Sequence, residues 1–229
     1  MKDVILLSGG LDSTTALAAA HARGTAARVV AVDYGQRHLR ELDAARRIAH
    51  RYGVPFHLLD FRSWGASLPG TALTDPNVPV PHGHYAADSM RTTVVPNRNA
   101  VLLMAAAGIA DAYDCQRVVT AVHAGDHPVY PDCRPDFIAA ARQTITVATD
   151  GRIGLLAPFL TDTKTDIARM AYDLGAPIGL TWSCYEGGEW HCGKCGTCTE
   201  RREAFELAGR EDPTTYAQDI PGERGTVTA

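Results

Sequence analysis

Short apolar runs and longer stretches with helical spacing alternate along the chain. The short runs are bounded by Gly, Asp or Pro, as is typical of buried strands. The longer stretches are rich in Ala and Leu and several end at a Gly, as is typical of helices. We predict strands over residues 4–7, 28–32, 55–59 and 117–121 and a short strand or turn over 155–158. We predict helices over residues 13–22, 38–52, 97–113, 136–147, 163–174 and 200–208. This alternation favours an α/β fold in which helices cover both faces of a parallel sheet.

Three segments lack this periodicity. Residues 63–96 are rich in Pro, Gly, His and Asp, and a segment of this length is usually a lid, a binding loop or an interface arm. Residues 122–135 form a shorter polar loop, and the chain after Gly209 is polar and is expected to be loosely held. We predict an ATP-binding domain over 1–180, a cysteine-rich segment and helix over 181–210 packed on that domain, and a tail over 211–229.

Composition narrows the class of protein. Of the 229 residues, 45% are hydrophobic and 21% are charged, which is close to the globular average. The net charge of −4 disfavours binding of nucleic acid through a basic surface. No apolar run approaches the roughly 18 residues of a membrane span, and the first run is too short for a secretory signal. We therefore expect a cytoplasmic protein without a membrane segment and without stable nucleic-acid binding.

A glycine-rich turn joins the first strand to the first helix, with the sequence LSGGLDS over residues 7–13. Glycines permit unusual backbone angles and a close approach to phosphate, and successive N–H groups at a helix N-terminus attract anions. Ser8 and Ser13 can add hydroxyl donors, while Asp12 suits Mg²⁺ or a helix cap. A plain strand-to-helix turn is the alternative. Because no Lys follows the glycines, the turn is not a Walker loop; it resembles the PP-loop of ATP pyrophosphatases, which transfer AMP to an oxygen of the substrate.

Four cysteines near the C-terminus have the spacing of a metal site. Two x2 spacings and one x7 spacing can close a tetrahedron of thiolates around a structural Zn²⁺. These candidate ligands are Cys184, Cys192, Cys195 and Cys198. Two disulfides or an iron–sulfur cluster are the alternatives, and His191 could replace one ligand. The two remaining cysteines, Cys115 and Cys133, are interpreted as a core residue and a loop residue.

Further motifs follow in a characteristic order. Taken singly, each has an ordinary explanation as a cap, a surface ion pair or a solvated charge. They are DYGQRH at 33–38, VPNRN at 95–99, YPDCRPDF at 130–137, DTKTD at 162–166, WSCY at 182–185, CGKCGTC at 192–198 and RREAF at 201–205. Together with LSGGLDS, this set resembles the 7-cyano-7-deazaguanine synthase family over residues 4–205, which has an adenine-nucleotide α-hydrolase-like fold with a C-terminal zinc-binding segment.

The resemblance implies a ligase that uses ATP, Mg²⁺ and Zn²⁺. ATP would adenylate the carboxylate of 7-carboxy-7-deazaguanine, ammonia would displace AMP, and a second activation of the amide would give the nitrile preQ0. Adenylation turns a poor leaving group into a good one, and positioning and charge stabilisation lower the barrier. No glutaminase segment is visible, so free ammonia or a delivering partner is expected. The resemblance also implies a homodimer, for which residues 63–96 could supply the contact.

The resemblance assigns roles to individual residues. Nucleotide and Mg²⁺ binding would fall to Leu7, Ser8, Gly9, Gly10, Leu11, Asp12, Ser13 and Thr14, with Asp33 and Tyr34 near the nucleoside. The catalytic set would be Asp12, Ser13, Arg98 and Lys164, of which Arg98 and Lys164 supply cations for the developing phosphate charge. Substrate contacts would come from Arg37, His38, Asn99, Asp132 and Arg134.

One stretch departs from the family pattern. Members often read DYSGY before PDCR, whereas this chain reads VHAGDHPVY over residues 122–130 and so places His123, Asp126 and His127 in the expected substrate loop. The departure indicates a variant of the same pocket, a related 7-deazapurine pathway such as nucleoside-antibiotic synthesis, or a different amine acceptor. A PP-loop RNA-modifying enzyme and a non-catalytic zinc-stabilised module are further alternatives.

Overall fold

A computed structural model describes residues 1–85 and 88–220, and it confirms the predicted parallel sheet. The strands of this part of the chain are β1 (Asp3–Leu6), β2 (Ala26–Asp33), β3 (Phe56–Asp60), β4 (Arg117–Val119) and β5 (Gly154–Leu156). All neighbours pair in parallel in the order β3-β2-β1-β4-β5. The order reverses at β1, and ligands of open α/β sheets bind outside the carboxyl ends of the strands at such a switch point.

Helices lie in the connections between these strands and after the last strand. They are α1 (Leu11–Ala22), α2 (Arg40–Arg51), α3 (Arg62–Ala66), α4 (Arg98–Ala112), α5 (Pro135–Ala148), α6 (Lys164–Asp173) and α7 (Gly196–Ala208). Of these, α1 to α5 lie in the connections, and α6 and α7 follow β5. The N-termini of α1, α4 and α6 follow the segments predicted to carry chemistry, because each helix starts where the chain leaves the carboxyl edge of the sheet.

Two apolar clusters hold the helices to the sheet. On one face Leu17, Ile48, Ile167 and Phe205 join α1, α2, α6 and α7 around Ile5. On the other face α4 and α5 pack over the sheet, with Leu103, Ile138 and Ile145 beside Val30 and Val118. Full burial of a side chain of this size stabilises the fold by about 1.5–3 kcal/mol. Helix α7, which follows the cysteines, is therefore part of the main core.

A buried ion pair fixes the two central strands at their amino ends. Asp3 is completely buried and accepts two hydrogen bonds from Arg117, from Nε and Nη2, each at 2.8 Å. Thr25 donates a third at 2.6 Å. The bidentate geometry ties β1 to β4 and so fixes the register at the switch point.

Three local expectations differ from the structure. Residues 63–96 are not wholly irregular, since α3 overlaps their start and a 3₁₀ helix spans Asp88–Thr93. Helix α7 begins at Gly196, four residues before its predicted start, because Cys195 in an extended conformation caps it. Cys198 therefore lies in the first turn of a helix, where the backbone fixes its direction.

The expectation of a loosely held tail is wrong for residues 211–220. Asp212 accepts hydrogen bonds from the fully buried Arg201 at 3.1 and 3.2 Å and from the Tyr216 hydroxyl at 2.6 Å. Tyr216 is itself buried and packs against His191. Residues 221–229 of the predicted tail lie outside the described part of the chain. Within the described part, no helix has both the length and the apolarity needed to cross a membrane.

Candidate active site

A cavity opens at the carboxyl ends of β1, β2 and β4, where the strand order reverses. Its wall combines the glycine-rich turn with residues of α2, α4, α6, α7 and the cysteine segment. The lining includes Ser8, Gly10, Asp12, Ser13, Tyr34, Tyr85, Arg98, Asn99, Asp126, Tyr130, Lys164, Tyr185 and Glu200. Leu7, Leu11 and His38 also line it.

The two glycines of the turn have different structural roles. Gly9 has a φ of +89°, and a Cβ placed there would lie 2.2 Å from the Glu41 carbonyl oxygen of α2. Gly10 has an ordinary φ of −77°, and a Cβ there would meet nothing closer than 3.4 Å. The expectation that both glycines serve forbidden backbone angles is therefore wrong for Gly10. Gly9 allows α2 to pack against the turn, while Gly10 leaves room on the cavity side.

Hydroxyl groups surround the start of α1. The hydroxyl oxygens of Ser8 and Ser13 lie 3.1 Å apart and line the cavity. Thr14 is buried and donates to the Gly10 carbonyl at 2.7 Å. Gly9 and Thr14 thus support the turn from behind, whereas the two serines face the site of a ligand.

A charged pair links α1 to α6 across the mouth of the turn. Lys164 Nζ lies 2.7 Å from Asp12 Oδ2 and 3.5 Å from Glu200 Oε2. Burial opposes both charges, yet their mutual attraction lowers the pKa of Asp12 and raises that of Lys164. Thr163 and Asp166 form a capping box at the start of α6, which holds Lys164 in place.

The second carboxylate oxygen of Asp12 has no partner. Asp12 Oδ1 is buried and forms no hydrogen bond with the part of the chain that the structure describes. An unpaired buried carboxylate oxygen is costly unless a cation binds to it. Carboxylate oxygens are the ligands that Mg²⁺ prefers, so Asp12 fits a magnesium ligand beside the phosphate turn.

The stretch that departs from the family pattern forms part of this site. His123 is almost fully buried, and its Nδ1 accepts a hydrogen bond from the Gly125 N–H at 3.1 Å. In the neutral ring the proton is therefore on Nε2, which lies 3.8 Å from Asp12 Oδ2 and 3.6 Å from Asp126 Oδ1. Asp126 also accepts a hydrogen bond from the Tyr85 hydroxyl at 3.1 Å. The departing stretch therefore supplies Val122 and Asp126 to the lining of the cavity, while His123 is buried against Asp126.

Tyrosine side chains dominate the other end of the cavity. The Tyr130 hydroxyl lies 2.7 Å from that of Thr93 and 3.3 Å from that of Tyr185. The ring centroids of Tyr85 and Tyr130 are 6.2 Å apart. Arg98 Nη1 donates to the Tyr34 hydroxyl at 3.4 Å. We call this cavity end the tyrosine end and the region around Asp12 and Lys164 the phosphate end. Tyr85 joins the two through its hydrogen bond to Asp126, which lies beside His123.

The predicted substrate residues are divided between the cavity and its support. His38 and Asn99 line the cavity. Arg37 donates to the Asp75 and Val78 carbonyls at 2.9 and 3.1 Å, and Arg134 donates to the His127 carbonyl at 2.9 Å. Asp132 accepts from the Asn99 N–H at 2.8 Å, and Asp33 accepts from the Gly35 N–H at 3.0 Å. Arg37, Asp132 and Arg134, and Asp33, which the sequence predicts near the nucleoside, are thus not part of the lining, and their roles toward a ligand stay predictions.

The four predicted cysteines converge on one point. Their Sγ atoms all lie within 4.8 Å of one another, and those of Cys192 and Cys198 are 3.9 Å apart. Sulfurs around a tetrahedral zinc at about 2.3 Å are separated by roughly 3.8 Å. The N–H groups of Lys194 and Cys195 point at Cys192 Sγ at 3.4 and 3.2 Å, after the positive φ of Gly193. The cluster fits a closed zinc site.

His191 and the two remaining cysteines, Cys115 and Cys133, lie outside this cluster. His191 is not a member of the cluster, because its Nε2 accepts a hydrogen bond from the Ser183 N–H at 3.1 Å. Burial and the nearby Arg201 lower the pKa of His191 to about 4. Cys115 and Cys133 are both buried, so the interpretation of Cys133 as a loop residue omits that its thiol packs in the core and accepts from Asn99 Nδ2 at 3.1 Å.

Several residues of the cavity have no signal in the sequence. Glu200 resembles any charged residue of a surface helix, yet it is largely buried beside Lys164, and burial raises its pKa. Tyr85 lies in the aperiodic segment outside every motif, and Tyr185 ends the WSCY motif, in which the neighbouring Cys184 indicates a metal ligand rather than a ligand contact.

Taken together, the parallel sheet, the glycine-rich turn at its switch point and the four-cysteine cluster define an α/β protein with a nucleotide-binding fold of the PP-loop type. A family model described as Queuosine biosynthesis protein QueC matches residues 2–209, and the chain belongs to this family. It is similar to the 7-cyano-7-deazaguanine synthase of Ruegeria sp. (strain TM1040), with 52% identity over 95% of this chain and 94% of the relative. The proteins of the same name from Paracoccus denitrificans and Agrobacterium fabrum are 52% and 51% identical, over 94% of this chain and 93% and 92% of theirs.

Proposed function

We propose that the chain is an ATP-dependent carbon–nitrogen ligase that converts 7-carboxy-7-deazaguanine and ammonia into 7-cyano-7-deazaguanine. The observation that carries the proposal is the Asp12–Lys164 pair at 2.7 Å, set against the glycine-rich turn where the sheet order reverses. Family membership and relatives of that name over nearly the whole chain support the choice of substrate.

The first step is attack of a substrate carboxylate oxygen on the α-phosphorus of ATP. A P–O bond forms, the bond to pyrophosphate breaks, and the acyl adenylate remains. The N–H groups at the start of α1 and the hydroxyls of Ser8 and Ser13 would bind the phosphates. Lys164 would stabilise the negative charge that develops on them. Mg²⁺ held by Asp12 would neutralise further phosphate charge.

Ammonia then attacks the acyl carbon, and AMP leaves with the electron pair of the broken C–O bond. The nitrogen loses its excess protons, and an amide is formed. A second ATP activates the amide oxygen in the same way. Loss of that oxygen with AMP and of the remaining protons from nitrogen gives the nitrile. One phosphate end serves both activations, because each transfers AMP to an oxygen on the same carbon.

Zn²⁺ would have a structural role. Four thiolates close its coordination, so no position is open to a substrate. The residues between and beside the ligands include Tyr185, Thr197 and Glu200, which all line the cavity. The metal would therefore hold one wall of the site. A homodimer, a cytoplasmic location and the absence of stable nucleic-acid binding remain predictions beside this proposal.

The test is incubation of the zinc-loaded protein with ATP, Mg²⁺, 7-carboxy-7-deazaguanine and ammonium, with products followed by mass spectrometry. We expect ammonium-dependent formation of the nitrile and of AMP. Formation of an adenylate or amide without nitrile would favour a different acceptor. The position of Asp126 in the cavity wall, with the buried His123 at 3.6 Å from it, makes this the second candidate. A folded, zinc-loaded protein that consumes no ATP would contradict the proposal.

A further inference from the structure

Arg98 is a cavity-lining cation that lacks an acidic partner. Arg98 Nη1 donates a hydrogen bond to the Tyr34 hydroxyl at 3.4 Å, and the guanidinium carbon lies 5.8 Å from the centroid of that ring. Within residues 1–85 and 88–220, no Asp or Glu forms an ion pair with it. A partly buried guanidinium carries five donors, most of which remain available here. Such a group favours an anionic ligand, and its planar fork suits a carboxylate.

Lys164, the other lysine or arginine of the described lining, already has carboxylate partners. Lys164 lies between Asp12 and Glu200, at 2.7 and 3.5 Å. Carboxylates surround Lys164, whereas Arg98 donates to the hydroxyl of Tyr34. The two cations therefore serve different ends of the cavity.

The surroundings of Arg98 suit a flat ring. Tyr85 and Tyr130 are buried, with centroids 6.2 Å apart and planes tilted by 46°. Tyr185 is held against His38, with centroids 5.3 Å apart, and its hydroxyl meets that of Tyr130. Hydrogen bonds fix these rings at their edges, and aromatic faces that line a cavity can stack on a heteroaromatic ligand.

Asn99 adds a polar contact of defined direction. Its Nδ2 donates to the Asp132 carbonyl at 3.2 Å and to Cys133 Sγ at 3.1 Å. This network assigns the amide so that Oδ1 is left as an acceptor. A ligand ring with N–H donors would match it.

We propose that Arg98, Tyr85, Tyr130 and Tyr185 form the subsite of the acid substrate, which is a flat heteroaromatic carboxylate that pairs with Arg98 and stacks on the tyrosine rings. The assignment rests on the proposed function and deepens it. It moves Arg98 from the phosphates to the acid and places the predicted residues Asp132 and Arg134 in supporting positions behind the subsite.

The deciding experiment compares Arg98→Met and Arg98→Lys with the wild type. Calorimetry would measure the binding of 7-carboxy-7-deazaguanine and, separately, of a non-hydrolysable ATP analogue. We expect Arg98→Met to weaken binding of the acid by about 10- to 100-fold, because a charge-assisted hydrogen bond is lost. Arg98→Lys should recover only part of this loss, since it lacks the planar fork. Binding of the nucleotide analogue should change by less than about twofold.

The rings are tested at Tyr85. Tyr85→Phe keeps the aromatic face and should retain most of the affinity for the acid, whereas Tyr85→Leu should lose about tenfold. Arg152→Met is the matched control for the arginine variants, because Arg152 is exposed and pairs with Asp111 away from the cavity. Zinc content and melting temperature establish that each variant is folded; should Arg98→Met fail to fold, Arg98→Lys and the Tyr85 pair carry the test.

The outcomes separate the subsite from the proposed function. Equal loss of acid and nucleotide binding in Arg98→Met would assign Arg98 to the phosphates and overturn the subsite. Unchanged acid binding would overturn it as well. A wild-type protein that binds another flat aromatic acid, with affinity reduced in Arg98→Met, would overturn the proposed function and support the subsite. A wild-type protein that binds nucleotide but no member of a panel of such acids would overturn both.

Discussion

The two ends of the cavity are built in opposite ways. The phosphate end is largely contiguous, because the turn at residues 7–13 carries its backbone donors, its two serines and Asp12 within seven positions. Lys164, Glu200 and His123 join it from elsewhere in the chain. The tyrosine end takes Tyr85, Arg98, Tyr130 and Tyr185 from four separate segments. This difference shows that a local turn can define a phosphate site, whereas the shape of the proposed acid subsite depends on long-range packing.

This contrast predicts that the tyrosine end fails first when long-range support is removed. Metal removal has the largest expected effect. Structural zinc contributes about 10–16 kcal/mol in small zinc-dependent folds, and here a metal in the four-cysteine cluster would hold the segment that carries Tyr185. Cys195→Ser should lose zinc, melt at a markedly lower temperature and lose binding of the acid before binding of the nucleotide.

Cys115→Ser is the control for that variant, because Cys115 is buried outside the cluster. Zinc analysis, thermal melting and the two binding measurements check the prediction. Loss of nucleotide binding with intact acid binding would contradict the proposed dependence of the tyrosine end on the metal.

Loss of the ion pair between Arg201 and Asp212 should have the next largest effect on stability. Asp212→Asn leaves the fully buried Arg201 without its counter-ion, which typically costs about 3–5 kcal/mol. Burial opposes ionisation of Asp212, but Arg201 and the hydrogen bonds lower its pKa below the ordinary value. The wild-type contribution is therefore present above the unfolded pKa of about 3.9 and is lost as the pH falls through the lower folded value.

Denaturant unfolding between neutral and acid pH measures this effect. The stability difference between Asp212→Asn and wild type should shrink as the pH is lowered through that range. Asp219→Asn is the control, since its partner Arg202 and Asp219 itself are both exposed. A difference that stays constant across this range would show that the charge of Asp212 is not the source of the stability.

A single charge should disable the phosphate end without altering the fold. Lys164→Met removes the cation beside Asp12, and we expect substrate-dependent exchange of pyrophosphate into ATP to fall by about 10²- to 10³-fold. Binding of the acid should be unchanged, because within residues 1–85 and 88–220 the ion pairs of Lys164 go to Asp12 and Glu200 and not to Arg98 or the three tyrosines. Lys2→Met, at an exposed position of the sheet's amino end, is the control. Equal losses in pyrophosphate exchange and in acid binding would show that the two ends of the cavity act as one functional unit.

The smallest effect should separate the two glycines. Gly9→Ala places a methyl group against the α2 backbone and strains a positive φ, so the free energy of unfolding should fall by about 1–3 kcal/mol. Gly10→Ala should leave stability nearly unchanged but weaken nucleotide binding, because its Cβ would occupy the cavity side of the turn. Denaturant unfolding and nucleotide titration check both variants. Similar stability losses would show that the turn tolerates no side chain at either position.

The sequence predicts the fold well where the pattern is local. The alternation of apolar runs and helices gives the parallel sheet, with boundaries shifted by one to four residues, and the cysteine spacing gives the metal cluster. The predicted start of α7 is late because a cysteine, rather than a Ser or Asp, provides the cap. The order of the strands and the ordered tail depend on packing that no local pattern contains.

The site is predicted unevenly for the same reason. Asp12 and Lys164 belong to motifs, and the structure brings them to 2.7 Å. Glu200 and Tyr85 belong to no motif, and they enter the cavity only because α7 packs against α6 and residues 82–83 pair with the cysteine segment. Asp132 looks like a ligand contact in sequence, yet its carboxylate holds the start of α4.

The separation of Asp12 from Lys164, 152 positions along the chain, has a consequence for synthesis on the ribosome. The phosphate turn emerges early, whereas the lysine that completes it emerges only with the last third of the chain. At about 5–20 residues per second, that interval lasts on the order of ten seconds or more. During this interval the nascent chain lacks the cation that the proposed adenylation requires, so we expect adenylation to begin only after α6 has been synthesised.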